Sequence, residues 1–442
     1  MRRLFSQYAG YWRHGSGERM SRSVLWTFTS SFGNRLLGIC AVILLARTLG
    51  KEAFGAYGIL ISTVGSFGML ASVTLSVTAT RFVAMYRDEQ KTKAGQVISL
   101  CLFGAMVLGS LVSLSIYVCG NFLAARLFNA ANLVSSVRIA SLLVLIGCMA
   151  GVVNGILSGL ERFSTLAGIN LLGGILQIPM VVGGAYYFGV NGALLGMILC
   201  QFVSLAVGTI LFRRAISAFR IALIGNHLFD DWRTLLDFSV PHVFGSLVNA
   251  PISWIGNTLL VRQPGGLSEM AIFTAAFRWR EAIALLPSAV SPVASVIMAE
   301  RIGARDKDAA IKLVFMSALT LALVCIPSAL VLGFGSPFIM RQYGGAFVAD
   351  GVPVLWIAVA DGTMRAIGTP FSNYVTASGK VWRACFIGVI AAAVFLLIAS
   401  IATKSGAIGL TIAYITSGLV SNMAFYVLTK ADDRKDGGTK AR

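Results

Sequence analysis

Apolar runs of membrane-crossing length, parted by short polar and basic stretches, recur from one end of the chain to the other. About 20 apolar residues suffice to cross roughly 30 Å of bilayer hydrocarbon as a helix rising 1.5 Å per residue. Runs of that length fall at Ser23–Ala46, Ala56–Thr80, Gly95–Cys119, Val137–Leu160, Ser164–Phe188 and Asn191–Phe212 in the first half. The second half has Phe238–Val261, Met270–Ala299, Ala310–Gly335, Val352–Ala377, Val381–Thr403 and Gly406–Leu428. The pattern predicts an all-α polytopic membrane protein with about 12 transmembrane helices.

Composition agrees. The 442 residues are 57% hydrophobic and 12% charged, against roughly 25% charged in soluble domains. The first 22 residues are polar and basic. They lack the apolar stretch of a cleavable signal peptide, so the first span is expected to be retained. A net charge of +18 raises the question of nucleic acid, and the placement of the charges answers it. Of the 36 Lys and Arg, 25 lie at the two ends and in alternate loops, 7 in the intervening loops and 4 within spans. The positive-inside rule places the basic side, and with it both termini, in the cytoplasm. The basicity is topological, with attraction to anionic membrane lipid second, and no nucleic-acid partner is expected. Cys40, Cys101, Cys119, Cys148, Cys200, Cys325 and Cys385 lie in or beside apolar segments without ligand spacing. His14, His227 and His242 are too scattered for a metal site, and no cofactor is expected.

A repeat near 217 residues divides the chain. Glu52 and Glu269 follow the first and seventh spans, Gly192 and Gly409 open the sixth and twelfth, and Ser158-Gly159 and Ser378-Gly379 end the fourth and tenth. An even number of spans per half, with both termini on one side, implies parallel halves. The expected organisation is a basic cytoplasmic segment 1–22, an N-lobe 23–213, a cytoplasmic linker 214–237, a C-lobe 238–430 and a cytoplasmic tail 431–442. Gly147, Gly151, Gly155 and Gly159 offer a glycine face for close helix approach. Pro241, Pro251, Pro287, Pro292, Pro327 and Pro370 interrupt the later spans, against Pro179 alone in the earlier ones, so the second lobe is expected to be the more bent.

Ionisable groups within hydrocarbon must face a cavity or pair with one another. Six such groups stand out within the spans: Arg35 on the first, Arg278, Arg280 and Glu281 on the eighth, Asp361 and Arg365 on the tenth. Helical spacing makes Asp361 and Arg365 neighbours, and Arg278 and Glu281 neighbours. Arg280, turned about 200° from Arg278, does not share that face, and Arg35 has no partner on its own helix. Four positive against two negative groups call for an anion. Arginine suits a phosphate, because its planar fork donates paired hydrogen bonds and keeps its charge when buried. Arg35, Arg365, Arg278 and Arg280 are thus candidate substrate-binding residues, with structural ion pairing and snorkelling as the competing roles. Asp361 and Glu281 are candidate coupling-ion sites.

No P-loop, HExxH or GxSxG pattern is present, and no catalytic residues are assigned. The segment Arg47-Thr-Leu-Gly-Lys-Glu-Ala-Phe-Gly-Ala-Tyr-Gly58 resembles the hallmark after the first span of the polysaccharide-transporter family, the O-antigen flippase branch of the multidrug/oligosaccharidyl-lipid/polysaccharide exporters. Thr80-Arg-Phe-Val-Ala, Ser158-Gly-Leu-Glu-Arg-Phe163, Val190-Asn-Gly-Ala-Leu and Tyr343-Gly-Gly-Ala-Phe347 are similar to further segments of that family. The resemblance implies two six-helix lobes around a central cavity in the bacterial inner membrane. Its implied substrate is a polyprenyl-diphosphate-linked oligosaccharide, flipped under an ion gradient, with a polysaccharide polymerase and a chain-length regulator as partners. A multidrug extruder of the same superfamily, which would want an acidic cavity, and a non-transporting scaffold of polysaccharide assembly are the alternatives, with a glycan polymerase third.

Overall fold

The structure, a computed structural model, describes residues 16–219, 221, 251–304 and 306–439. Most of the expected linker 214–237, the start of the seventh span, and His14, His227, Pro241 and His242 lie outside the described residues. Every regular element among the described residues is helical. In the first half these are α1 (Ser16–Leu49), α2 (Lys51–Tyr86), α3 (Lys91–Val118), α4 (Val134–Gly159), α5 (Phe163–Gln177) and α6 (Gly183–Ala218). In the second half α7 (residues 251–261) precedes α8 (Gly266–Ile283), α9 (Leu285–Gly303), α10 (Lys307–Phe334), α11 (Ser336–Tyr343), α12 (Val348–Ala377), α13 (Val381–Ala402) and α14 (Gly406–Thr439). Among the described residues seven helical stretches are long and apolar enough to cross a membrane, and two of them, Phe163–Ala218 and Trp382–Asp432, turn back at Gly189 and Gly406 and so supply two crossings each. Most helices outrun their apolar cores by a turn or so, because a helix continues into the interfacial layer, where polar side chains such as Lys51 and Lys91 are tolerated.

Left-handed backbone marks the two parallel lobes. Among the described residues those with positive φ are Gly50, Asn129, Glu161 and Gly189 in the first half, and Gly265, Gly344, Gly379 and Gly406 in the second. Each stands at the matching turn of the other lobe, 215 to 218 residues away. The pairing of Gly192 with Gly409 keeps this register and has a common cause. A Cβ would sit 1.9 Å from the Gly184 oxygen in one case and 1.6 Å from the Ala402 oxygen in the other, so only glycine lets the last span of each lobe cross its predecessor. Ser158 with Ser378, and Glu52 with Glu269, are each two residues out of the structural register. Glu269 instead accepts a hydrogen bond from Ala407 N at 2.7 Å and caps the start of α14.

The glycine face of α4 meets α2. A Cβ on Gly155 would lie 2.4 Å from the Ser76 oxygen and one on Gly159 2.8 Å from the Thr80 oxygen, while Thr80 Oγ1 donates to the Gly155 oxygen at 3.0 Å. Gly147 faces Gln201 on α6 instead. Positions four apart advance by about 40° around a helix, so the face drifts away over three steps. The second lobe is not alone in bending. The eighth span breaks at Ala284, ahead of Pro287, but the first lobe carries π-helical turns at Phe122–Leu127 and at Ile178–Val182, the latter around Pro179. Pro327, Pro353 and Pro370 sit within helices that run on through them.

Candidate functional site

The two lobes meet closely at the end that carries the Gly50 and Gly265 turns. Gly55 of α2 lies so near α8 that a Cβ would fall 1.7 Å from the Leu267 oxygen, and one on Gly58 would fall 2.4 Å from Thr274 Oγ1. Phe54, fully buried, packs its ring against Tyr343 and Phe347 at 6.5 and 6.2 Å. Arg47 donates to the Gln342 main-chain oxygen at 2.5 Å and its side-chain oxygen at 3.1 Å, and Lys51 faces Asp350 at 3.5 Å. The segments Arg47–Gly58 and Tyr343–Phe347, far apart in the chain, thus form one seam between lobes. At the opposite end of α2, Arg87 reaches Glu161 at 2.7 Å and the Gly159 oxygen at 3.1 Å. Burial works against the charge of Arg87, but Glu161 and Asp88 outweigh it and hold the guanidinium pKa above its ordinary value. Lys380 and Asp432 form a tie within the other lobe.

Inward of the seam lies a cavity of about 710 Å³, lined among the described residues mainly by the second lobe and closed on one side by Gly58, Ile61 and Ser62 of α2 from the first. Among the described residues its charged lining consists of Arg278, Arg280, Glu281 and Arg365, and the other described lining residues are uncharged. Arg278 and Glu281 pair at 3.2 Å, as their spacing predicts. Asp361 and Arg365 also pair, with Arg365 Nε 2.9 Å from Oδ1 and 3.1 Å from Oδ2. Arg280 leaves the face of Arg278 and crosses to α12, placing Nε 2.6 Å from Asp361 Oδ2. One carboxylate with no exposed surface therefore receives the Nε–H of two arginines.

The local sequence makes this possible. Gly362, beside Asp361, keeps α12 close to α8, since a Cβ there would lie 3.0 Å from Arg280 Cγ. Gly418 on α14 gives room on the other side, where a Cβ would lie 3.1 Å from Asp361 Oδ1 and 3.2 Å from Arg365 Nη2. Arg365 Nη2 donates to the Tyr414 main-chain oxygen at 2.9 Å, and the Arg280 guanidinium lies over the rings of Phe277 and Tyr414 at 4.8 and 5.7 Å. Each Nε being held, the terminal nitrogens of Arg280 and Nη1 of Arg365 have no hydrogen-bond acceptor among the described residues. The three lining arginines exceed Glu281 and Asp361 by one positive charge. Arg35 is not part of the lining. Its guanidinium donates instead to the main-chain oxygen of Glu281, tying α1 to α8 across the lobes and raising the excess to two. Spacing along single helices revealed the two local pairs, but not the Arg280–Asp361 bond nor the roles of Gly362 and Gly418. Asp361-Gly362 within an apolar span was the available signal.

A family model described as "Polysaccharide biosynthesis protein" matches residues 20–298. The "EPS I polysaccharide export inner membrane protein EpsE" of Ralstonia nicotianae is 20% identical over 378 residues, covering 82% of each chain. Among solved structures, the chain is similar to a multidrug resistance MATE family transporter of the MOP superfamily in its inward-facing conformation, with a TM-score of 0.75 and 15% identity over 91% of this chain and 96% of that one. It is also similar to the lipid II flippase MurJ in an inward closed conformation, with a TM-score of 0.71 and 17% identity over 92% of this chain and 87% of that one.

Proposed function

The chain belongs to the polysaccharide biosynthesis protein family, whose fold it shares with membrane transporters, and we propose that it flips a polyprenyl-diphosphate-linked oligosaccharide across the bacterial inner membrane for surface polysaccharide assembly. The observation that carries this reading is the set of three arginines on the cavity wall, two of them anchored through Nε on Asp361. Anchoring through Nε leaves terminal N–H donors for a ligand, and a diphosphate offers paired acceptor oxygens and the negative charge this wall lacks. A small organic cation, the cargo of an extruder, would meet repulsion here.

In this reading the seam at the Gly50 and Gly265 turns faces the periplasm, both termini face the cytoplasm, and the lobes rock about the cavity to expose it alternately. Ion coupling falls to Glu281, whose side chain is 57% exposed, rather than to Asp361, both of whose oxygens are occupied by guanidinium donors. Arg35 ties the lobes at the level of Glu281. A polysaccharide polymerase and a chain-length regulator would act on the product at the far face.

The test is a deletion strain. It should accumulate lipid-linked oligosaccharide on the cytoplasmic face and lose surface polysaccharide, with unchanged sensitivity to cationic drugs. Drug hypersensitivity with normal surface polysaccharide would assign the protein to the extruders instead.

A further inference from the structure

The cavity has two chemically distinct zones. Its charges gather where α8 has run inward to Arg278, Arg280 and Glu281, opposite Arg365. Toward the sealed seam the lining is neutral, with Ser62 and Gly58 from α2, Asn257 from α7 and Thr274 from α8, beside the aromatic wall of Phe273 and Tyr414. Thr274 and Arg280 are six residues apart on one helix, about 9 Å of rise. A ligand whose diphosphate meets the arginines therefore presents to this neutral zone one of the two groups joined to the diphosphate, and the polar side chains of Ser62, Asn257 and Thr274 suit a sugar better than a prenyl chain.

One polar group in that zone is incomplete. Asn257 is 6% exposed, and its Nδ2 donates across the lobe boundary to Ser62 Oγ at 2.6 Å. Its Oδ1 is buried and has no hydrogen-bond partner. Turning the amide over would only exchange the orphan acceptor for an orphan donor, because Ser62 meets one end alone. A buried polar group without a partner costs about 1 to 3 kcal/mol. Its neighbours do not compensate: Thr274 Oγ1 donates to the Met270 oxygen within its own helix, and Trp254 Nε1 donates to Thr63. A side chain so placed, on the wall of a cavity of about 710 Å³, is suited to a ligand that brings its own donors and acceptors.

Resting on the flippase reading, we propose that Asn257, held by Ser62, is a recognition subsite for the sugar attached directly to the diphosphate. Asn257 Oδ1, covered in this structure, is uncovered as Ser62 and its lobe move away, and a ring hydroxyl or acetamido group of that sugar then pairs with it while the sugar's apolar face lies toward Phe273 and Tyr414. Selectivity for the first sugar of the glycan then resides at the lobe boundary, where Asn257 and Ser62 come from opposite lobes.

The test compares binding of farnesyl diphosphate with binding of farnesyl diphosphates carrying glucose, galactose or N-acetylglucosamine, on the full-length protein in detergent. The wild type should prefer at least one sugar-bearing probe to the sugar-free one. Asn257→Leu should lower affinity for that probe about tenfold, the loss of one hydrogen bond, and leave farnesyl diphosphate unchanged. Ser62→Ala, a milder change in the other lobe, should weaken the same preference by a smaller factor at an unaltered melting temperature. Arg365→Ala should weaken every probe. Equal affinity of the wild type for all four probes, or an Asn257→Leu effect shared by the sugar-free probe, would overturn the subsite while leaving the diphosphate reading intact. Unchanged farnesyl diphosphate binding in Arg365→Ala would overturn the diphosphate reading, and the subsite with it.

Discussion

Arg280 and Asp361, 81 residues apart in the chain, meet at 2.6 Å and join α8 to α12 through a carboxylate that has no exposed surface. Arg365 holds the same carboxylate from its own helix. Asp361→Ala would leave two guanidiniums facing each other without a counter-ion. Breaking a buried pair costs about 3 to 5 kcal/mol, and the partial exposure of both arginines to the cavity favours about 3. Thermal unfolding in detergent should show a marked loss, and Asp361→Glu, which keeps the charge but displaces the oxygens, should lose transport with a smaller loss of stability. A melting curve for Asp361→Ala like that of the wild type would remove the anchoring role.

Gly55 sets how closely the lobes close at the seam. Its absent Cβ would overlap the Leu267 oxygen at 1.7 Å, a backbone atom that cannot swing aside. Gly55→Ala should therefore hold the seam apart and abolish transport at normal abundance. Labelling of a single cysteine placed at Phe54 should rise from near zero in the parent to rapid reaction in the alanine variant. Slow labelling in both would show that the lobes absorb the methyl group.

Gly58 and Thr274 supply a complementary probe. A Cβ at residue 58 would lie 3.3 Å from Thr274 Cβ, a little under the roughly 3.5 to 4.5 Å usual for a disulfide, so a slight parting of the helices suffices to form one. In a background with the seven native cysteines replaced, Gly58→Cys with Thr274→Cys should cross-link on mild oxidation, stop transport and recover on reduction. Full activity of the cross-linked form would mean that the seam need not open.

Reporter fusions test the orientation inferred from charge. Fusions after Lys430 and within 222–237 should report cytoplasm, and fusions in the loop between α3 and α4 should report periplasm. A periplasmic carboxyl terminus would break the parallel-lobe arrangement.

Hydropathy was sufficient for the spans because lipid imposes length and apolarity on each crossing independently. The repeat was legible where glycine is obligatory, as at Gly192 and Gly409. It slipped by two residues at Ser158 and Ser378, because similar letters there do not share the left-handed position, which Glu161 and Gly379 occupy. Spacing could find Asp361–Arg365 and Arg278–Glu281, since both pairs share a helix. It could not find Arg280–Asp361, Arg35 with Glu281, or Asn257 with Ser62, for these depend on how helices from different parts of the chain lie against one another.

Arg365 separates a substrate-binding arginine from a merely neutralising one. It pairs with Asp361, but also donates from Nη2 to the Tyr414 oxygen and lines the cavity, with Nη1 left over. If its work is to hold diphosphate, Arg365→Ala should abolish transport, and Arg365→Lys should rescue it only in part, since an ammonium keeps the charge but lacks the planar fork. Arg280 still neutralises Asp361 in either variant, so abundance should stay near that of the wild type. Adding Asp361→Asn to Arg365→Ala should not bring transport back, because it removes the anchor of Arg280 as well. If Arg365 exists only to neutralise Asp361, the outcome inverts. Arg365→Ala would then lower abundance, and the double variant would recover both abundance and transport. Flipping measured in vesicles, normalised to inserted protein, distinguishes the two. Transport restored in the double variant would end the binding role of Arg365.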